Sequence, residues 1–113
     1  MVENKWVIVG IDPGKFGFIT CLCESGEKKC YALPKIKNEI DLTSLNKIFD
    51  EIEGWSESLG INVQVVMERV HSLFESSKGA AFSFGWINGV LQSMIVAHNL
   101  PYMLVDPKKW KIS

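Results

Sequence analysis

The sequence has no excess of positive charge. Its 113 residues carry 12 Lys and Arg against 13 Asp and Glu, a net charge of -1, and the pI is about 6.1. Proteins that hold nucleic acid through bulk electrostatics are usually basic, so the total argues against that class. The distribution is less even. Positions 1–62 hold seven basic and ten acidic residues, whereas 63–113 hold five and three. A phosphate-binding face therefore has to draw on the second segment.

An uninterrupted apolar span is missing too. The stretch 80–97 is broken by Ser83, Asn88, Gln92 and Ser93, which suits a buried helix and not a membrane crossing. Met1 leads into a segment too short for a signal peptide, with no cleavage-like site after it. Three cysteines make an odd number in a chain without a secretory signal. A reducing cytoplasm, bacterial or that of a phage-infected host, is the compartment expected. Cys21, Cys23 and Cys30 lack a fourth ligand and knuckle spacing, so no zinc is expected and they read as small buried hydrophobes. Repeats, low-complexity tracts and linkers are absent, so 1–113 is expected to be one domain.

What is present reads as alternating strands and helices. Trp6 to Ile11 is a nearly continuous apolar run, as in a strand covered on both faces. Asp12-Pro13-Gly14 ends it. Two runs, 16–23 and 28–33, flank Ser25-Gly26, which predicts a two-residue hairpin loop with Cys21 facing Cys30. Leu42, Leu45, Ile48, Phe49, Ile52, Trp55 and Leu59 then form one helical stripe. Asp41 or Thr43 can cap its start and Gly60 its end. Positions 63–67 predict a buried strand, parallel to the first because a helix intervenes. A second helix spans about 79–99. It carries Gly85 and Gly89 one turn apart, each costing about 1 kcal/mol relative to Ala, which predicts close approach to the sheet. Tyr102 to Val105 is the fifth strand. Asp106 and Pro107 then resemble an N-cap and first helical position, so the sequence ends where a further helix is expected to begin.

Asp12 directly follows the first strand and Glu68 directly follows the fourth. If these strands are parallel neighbours, both carboxylates emerge at the carboxyl edge, where open α/β sheets bind ligands. Two acids there can hold a hard divalent cation, with water and phosphate completing its shell. The alternative is that Asp12 only caps its turn. His98, near a helix C-terminus, is a favourable partner for the helix dipole.

Several segments carry a resemblance. The run 8–14 (IVGIDPG) followed by Gly17, and 66–71 (VMERVH), are similar to the first and second acidic strand ends of RuvC-type Holliday-junction resolvases. Phe82-Ser83-Phe84-Gly85, Gly89, the run 100–102 and the run 106–111 resemble the phage branch of that family. The likeness spans the chain in order and is weakest over 34–60. It implies a ribonuclease-H-like α/β domain: a mixed five-stranded sheet of order 3-2-1-4-5, strand 2 antiparallel, with helices on both faces. It also implies a homodimer that cuts four-way DNA junctions in recombination and repair. Asp12 and Glu68 match the first two catalytic, metal-binding acids, for Mg²⁺ or Mn²⁺ in its place. The family's remaining acids sit on a final helix that this sequence does not contain, and Asp106 matches a capping position. Efficient cutting is therefore not expected of this short form, and the alternative is a non-catalytic module that binds branched DNA or dimerises. A nucleotide-binding fragment of the actin and sugar-kinase type would need a second phosphate loop, which is not found.

Six further residues are candidate DNA contacts. Arg69 suits phosphate through its planar fork. His71 matches a position where the family probes the junction. Lys15, on the turn after Asp12, and Lys108, Lys109 and Lys111 near the end would each steepen salt dependence if they touch phosphate. Solvated surface positions are the plain alternative for all of them.

Overall fold

A computed structural model describes residues 5–14, 17–69 and 78–106. Strands β1 (Trp6–Asp12), β2 (Phe18–Cys23) and β3 (Lys28–Ala32) form an antiparallel meander. A small hairpin follows, β4 (Lys35–Ile36) with β5 (Glu39–Ile40), then helix α1 (Leu42–Leu59), strand β6 (Asn62–Glu68), helix α2 (Lys78–Ala97) and strand β7 (Tyr102–Val105). The main sheet has the order β3-β2-β1-β6-β7. β6 runs parallel to both β1 and β7. This is the expected 3-2-1-4-5 order, with β6 and β7 as its fourth and fifth strands.

Alternation along the strands assigns the two faces. Val7, Val9 and Ile11 of β1, Ile19 and Cys21 of β2, and Val63, Val65 and Met67 of β6 are buried. They meet Leu45, Phe49, Ile52 and Trp55 of α1 and Ile87, Leu91 and Ile95 of α2 in one cluster. Both described helices thus lie on the same face, where helices on both faces were expected. The other face carries Trp6, Ile8, Phe18, Leu22 and Met103, all substantially exposed.

The caps explain where α1 begins and ends. Asp41 Oδ1 accepts from the Ser44 N–H at 3.2 Å and its Oδ2 from the Ser44 hydroxyl at 2.6 Å. These bonds hold the Asp41 carboxyl below its ordinary pKa. Gly60 ends the helix at φ 67, and the Ile61 N–H donates back to Trp55 O at 3.0 Å, a left-handed stop that glycine adopts without penalty.

Two further expectations fail. The hairpin loop is three residues long, not two. Gly26 takes φ 90, its N–H donates to Cys23 O, and the Cys23 N–H donates to Glu27 O. This is a turn closed by a bulge. The one-residue change in register pairs Thr20 with Cys30 and Cys21 with Lys29, so Cys30 lies on the opposite face from Cys21. Gly85 and Gly89 also do not approach the sheet. Among the described residues, a Cβ added at either meets nothing within 4 Å, and both face outward.

Candidate metal centre at the carboxyl edge

The parallel pairing of β1 with β6 ends at Ile11 and Met67. Asp12 and Glu68 come one step later on each strand, so they stand side by side at the carboxyl edge. Neighbouring strands are about 4.8 Å apart, which puts the two carboxyl groups within reach of one cation. Because Ile11 and Met67 point into the core, Asp12 and Glu68 belong to the face away from the helices.

The turn after β1 fixes Asp12. The Gly14 N–H donates to Asp12 Oδ1 at 3.0 Å, so the capping reading is part of the geometry and one oxygen is held. Gly17 secures the same turn: its N–H donates to Gly14 O, and its carbonyl accepts from the Leu33 N–H, both at 3.0 Å. No side chain fits at Gly17, since a Cβ there would sit 2.0 Å from Asp12 O. Phe18, paired with Asp12 across β1 and β2, is half exposed beside the carboxylate. Phe18, Ile8, Gly10, Thr20 and Leu22 line a shallow depression that ends at Asp12.

Arg69 follows Glu68 and its N–H donates to Val105 O at 2.8 Å, which ties the outgoing chain to β7 and leaves the side chain exposed at the same edge. Asp106 follows Val105, the partner of Glu68. Among the described residues, however, no third carboxylate, thiol or imidazole joins Asp12 and Glu68 within 4.8 Å. Lys15, His71, Lys108, Lys109 and Lys111 lie outside the described residues, as does the helical turn expected after Asp106.

A second polar cluster, not anticipated from the sequence, lies on the helix side. His98 is 7% exposed and stacks on Phe49 with ring centroids 5.9 Å apart. Its Nδ1 is 2.7 Å from Glu53 Oε1 and its Nε2 is 2.7 Å from Asn46 Oδ1. The expected role, a charge at a helix end, is therefore replaced by a buried bridge to α1. Asn46, Asp50 and Glu53 recur at helical spacing beside the apolar stripe of α1. That polar stripe was the available signal.

No protein-family model matches the chain, and no curated protein matches it in sequence. Solved structures do. RuvC of Thermus thermophilus in complex with a Holliday junction substrate aligns with a TM-score of 0.57 at 15% identity, covering 94% of this chain and 68% of that one. A second Thermus thermophilus RuvC structure gives 0.51 at 18% identity, covering 89% and 64%. The chain thus spans about two thirds of the length of these structures. The likeness establishes the ribonuclease-H-like fold.

Proposed function

We propose that this chain is the core of a divalent-metal-dependent nuclease acting on branched DNA, with the four-way junction as its substrate. The observation that carries this reading is the placement of Asp12 and Glu68, adjacent in register at the carboxyl edge of a ribonuclease-H-like sheet. Their donor set fits the ion. Two carboxylates supply hard oxygen ligands and leave the rest of an octahedral shell to water and phosphate, which suits Mg²⁺ or Mn²⁺. When bound, such ions activate a water and stabilise the leaving oxygen of an in-line displacement. The chain's own part is to hold one Asp12 oxygen on the Gly14 N–H, so that the carboxylate needs little reorganisation. Phe18 lies opposite Asp12 in register on β2. Arg69 is assigned to the DNA phosphate at the same edge, with Lys15, His71, Lys108, Lys109 and Lys111 as further DNA contacts. A homodimer would present two such edges for paired cuts, in a reducing cytoplasm that keeps the three thiols free.

The alternative is a module of the same fold that binds branched DNA without cutting it. A cleavage and binding assay on a synthetic four-way junction with Mg²⁺ or Mn²⁺ separates them. The nuclease reading predicts slow paired nicks, and Asp12→Asn and Glu68→Gln should each lower the rate about a hundredfold or more. The ion supplies several kcal/mol, at about 1.4 kcal/mol per tenfold in rate. Binding without nicks selects the module, and neither binding nor nicks refutes both.

A further inference from the structure

The cluster around His98 has the composition and geometry of a second metal site, on the opposite face of the sheet from Asp12 and Glu68. Helix α1 places Asn46, Asp50 and Glu53 along one stripe. α2 ends at Ala97, and Asn99 turns the chain toward β7 in the left-handed region at φ 57. Between them the His98 ring is directed onto α1, with Nδ1 2.7 Å from Glu53 Oε1 and 3.5 Å from Asp50 Oδ1. Its Nε2 lies 2.7 Å from Asn46 Oδ1. An amide oxygen only accepts, so Nε2 carries the hydrogen. Nδ1 then faces two carboxylates, and a bare lone pair against a carboxylate oxygen at that separation is repulsive. A proton or a metal ion between them removes that repulsion.

A proton on Nδ1 would satisfy Glu53 and hold Asp50 only as a looser ion pair at 3.5 Å. A metal ion would use all three groups. In a tetrahedral site with bonds of about 2.0–2.1 Å, ligand atoms sit about 3.3 Å apart. Asp50 is already near that spacing. Glu53 needs to withdraw by about half an ångström, a small adjustment for a partly exposed side chain with three rotatable bonds. The Asp50 side chain is 61% exposed, which provides an entry path and room for a water as fourth ligand. Asn46 fills the outer-shell role that orients a ligating histidine. A nitrogen with two carboxylate oxygens suits Zn²⁺ and its neighbours, whereas Mg²⁺ prefers an octahedron of oxygens.

We infer that Asp50, Glu53 and His98 bind a transition-metal dication of the Zn²⁺ class, which pins α1 to the chain leaving α2. This does not depend on the nuclease reading, and the test is arranged to keep the two apart. Metal-free protein carrying Asp12→Asn and Glu68→Gln is titrated with Zn²⁺ by calorimetry and with Co²⁺ by visible absorption. One ion per chain is expected, with intense tetrahedral Co²⁺ bands and a raised thermal midpoint. His98→Gln should abolish the bands. Because His98 is buried and that variant could misfold, Glu53→Gln and Asp50→Asn on the more exposed side form a second arm, each weakening binding about tenfold or more. Absence of binding at about 100 µM metal, a binding energy of only some 5 kcal/mol, overturns the inference. So does binding that persists in both Glu53→Gln and Asp50→Asn.

Discussion

Single residues here answer to backbone space and to burial. Gly17 has no room for a Cβ against Asp12 O, so Gly17→Ala must open the turn that orients Asp12. It is expected to cost about 1–3 kcal/mol in urea unfolding and to weaken metal binding at the carboxyl edge. An unchanged midpoint would show that the turn yields without strain. Burial, then the neighbouring Cys23, pushes the Cys21 thiol up to about 12, and burial raises Cys23 as well. Cys30 is exposed. A thiol reagent at neutral pH should therefore modify Cys30 alone in the folded chain and all three cysteines in denaturant. The placement of Asp12 and Glu68 at two neighbouring strand ends was legible in the sequence because each ends an apolar run, a purely local signal. The His98 cluster was not, because Glu53 and Asn46 meet His98 only after α1 and α2 pack.

Elements show where propensity and packing part ways. In α2, Gly85 and Gly89 carry the full helical penalty of glycine, and among the described residues no close contact uses their smallness. Each replacement by Ala should raise stability by about 1 kcal/mol in a monomer. A loss of stability, with a change in sedimentation, would place that face in the proposed dimer. The start of α1 carries a pH signature. Bonds from the Ser44 side chain and backbone depress the Asp41 carboxyl, so its folded pKa lies below its unfolded one. The cap's contribution is complete above the ordinary value of 3.8 and is lost as pH falls through the lower folded value. Asp41→Asn keeps a capping oxygen but removes this charge, and should flatten that part of the acid melting profile. Long periodic elements were legible, including both ends of α1. The hairpin register was not, because Ser25-Gly26 suits either loop length and Gly26 decides it at φ 90. The β4–β5 pair also escaped notice, since two-residue strands leave no periodicity; their turn rests on positive φ at Lys37 and Asn38.

At the scale of the molecule, the described residues form a thin body. Its shortest dimension is 21 Å, which fits one sheet and one helix layer, given about 10 Å between packed layers. Among the described residues, no helix is long and apolar enough to cross a membrane. The open sheet face leaves apolar side chains in solvent, with Phe18 50% and Met103 53% exposed. Folded protein should bind a fluorescent apolar dye there. Phe18→Ser with Leu22→Thr should reduce the signal at little cost in stability, whereas Leu91→Ala, in the core, should cost about 2–5 kcal/mol. The strand order also sets a sequence of events. β1 meets β2 across a short turn, but it meets β6 only after α1 has been spanned. Distant pairings must meet their loop-closure entropy before any contact repays it. The β1–β2–β3 meander should therefore be structured in the folding transition state, with low φ-values at Val65 and Met67. Asp12 and Glu68 become neighbours only downhill of that barrier. Mg²⁺ that binds them should slow unfolding and leave the folding limb of the chevron unchanged. On that order of events the carboxyl edge would form late in folding, and an ion bound there would act as a latch on the finished chain, with no part in its nucleus.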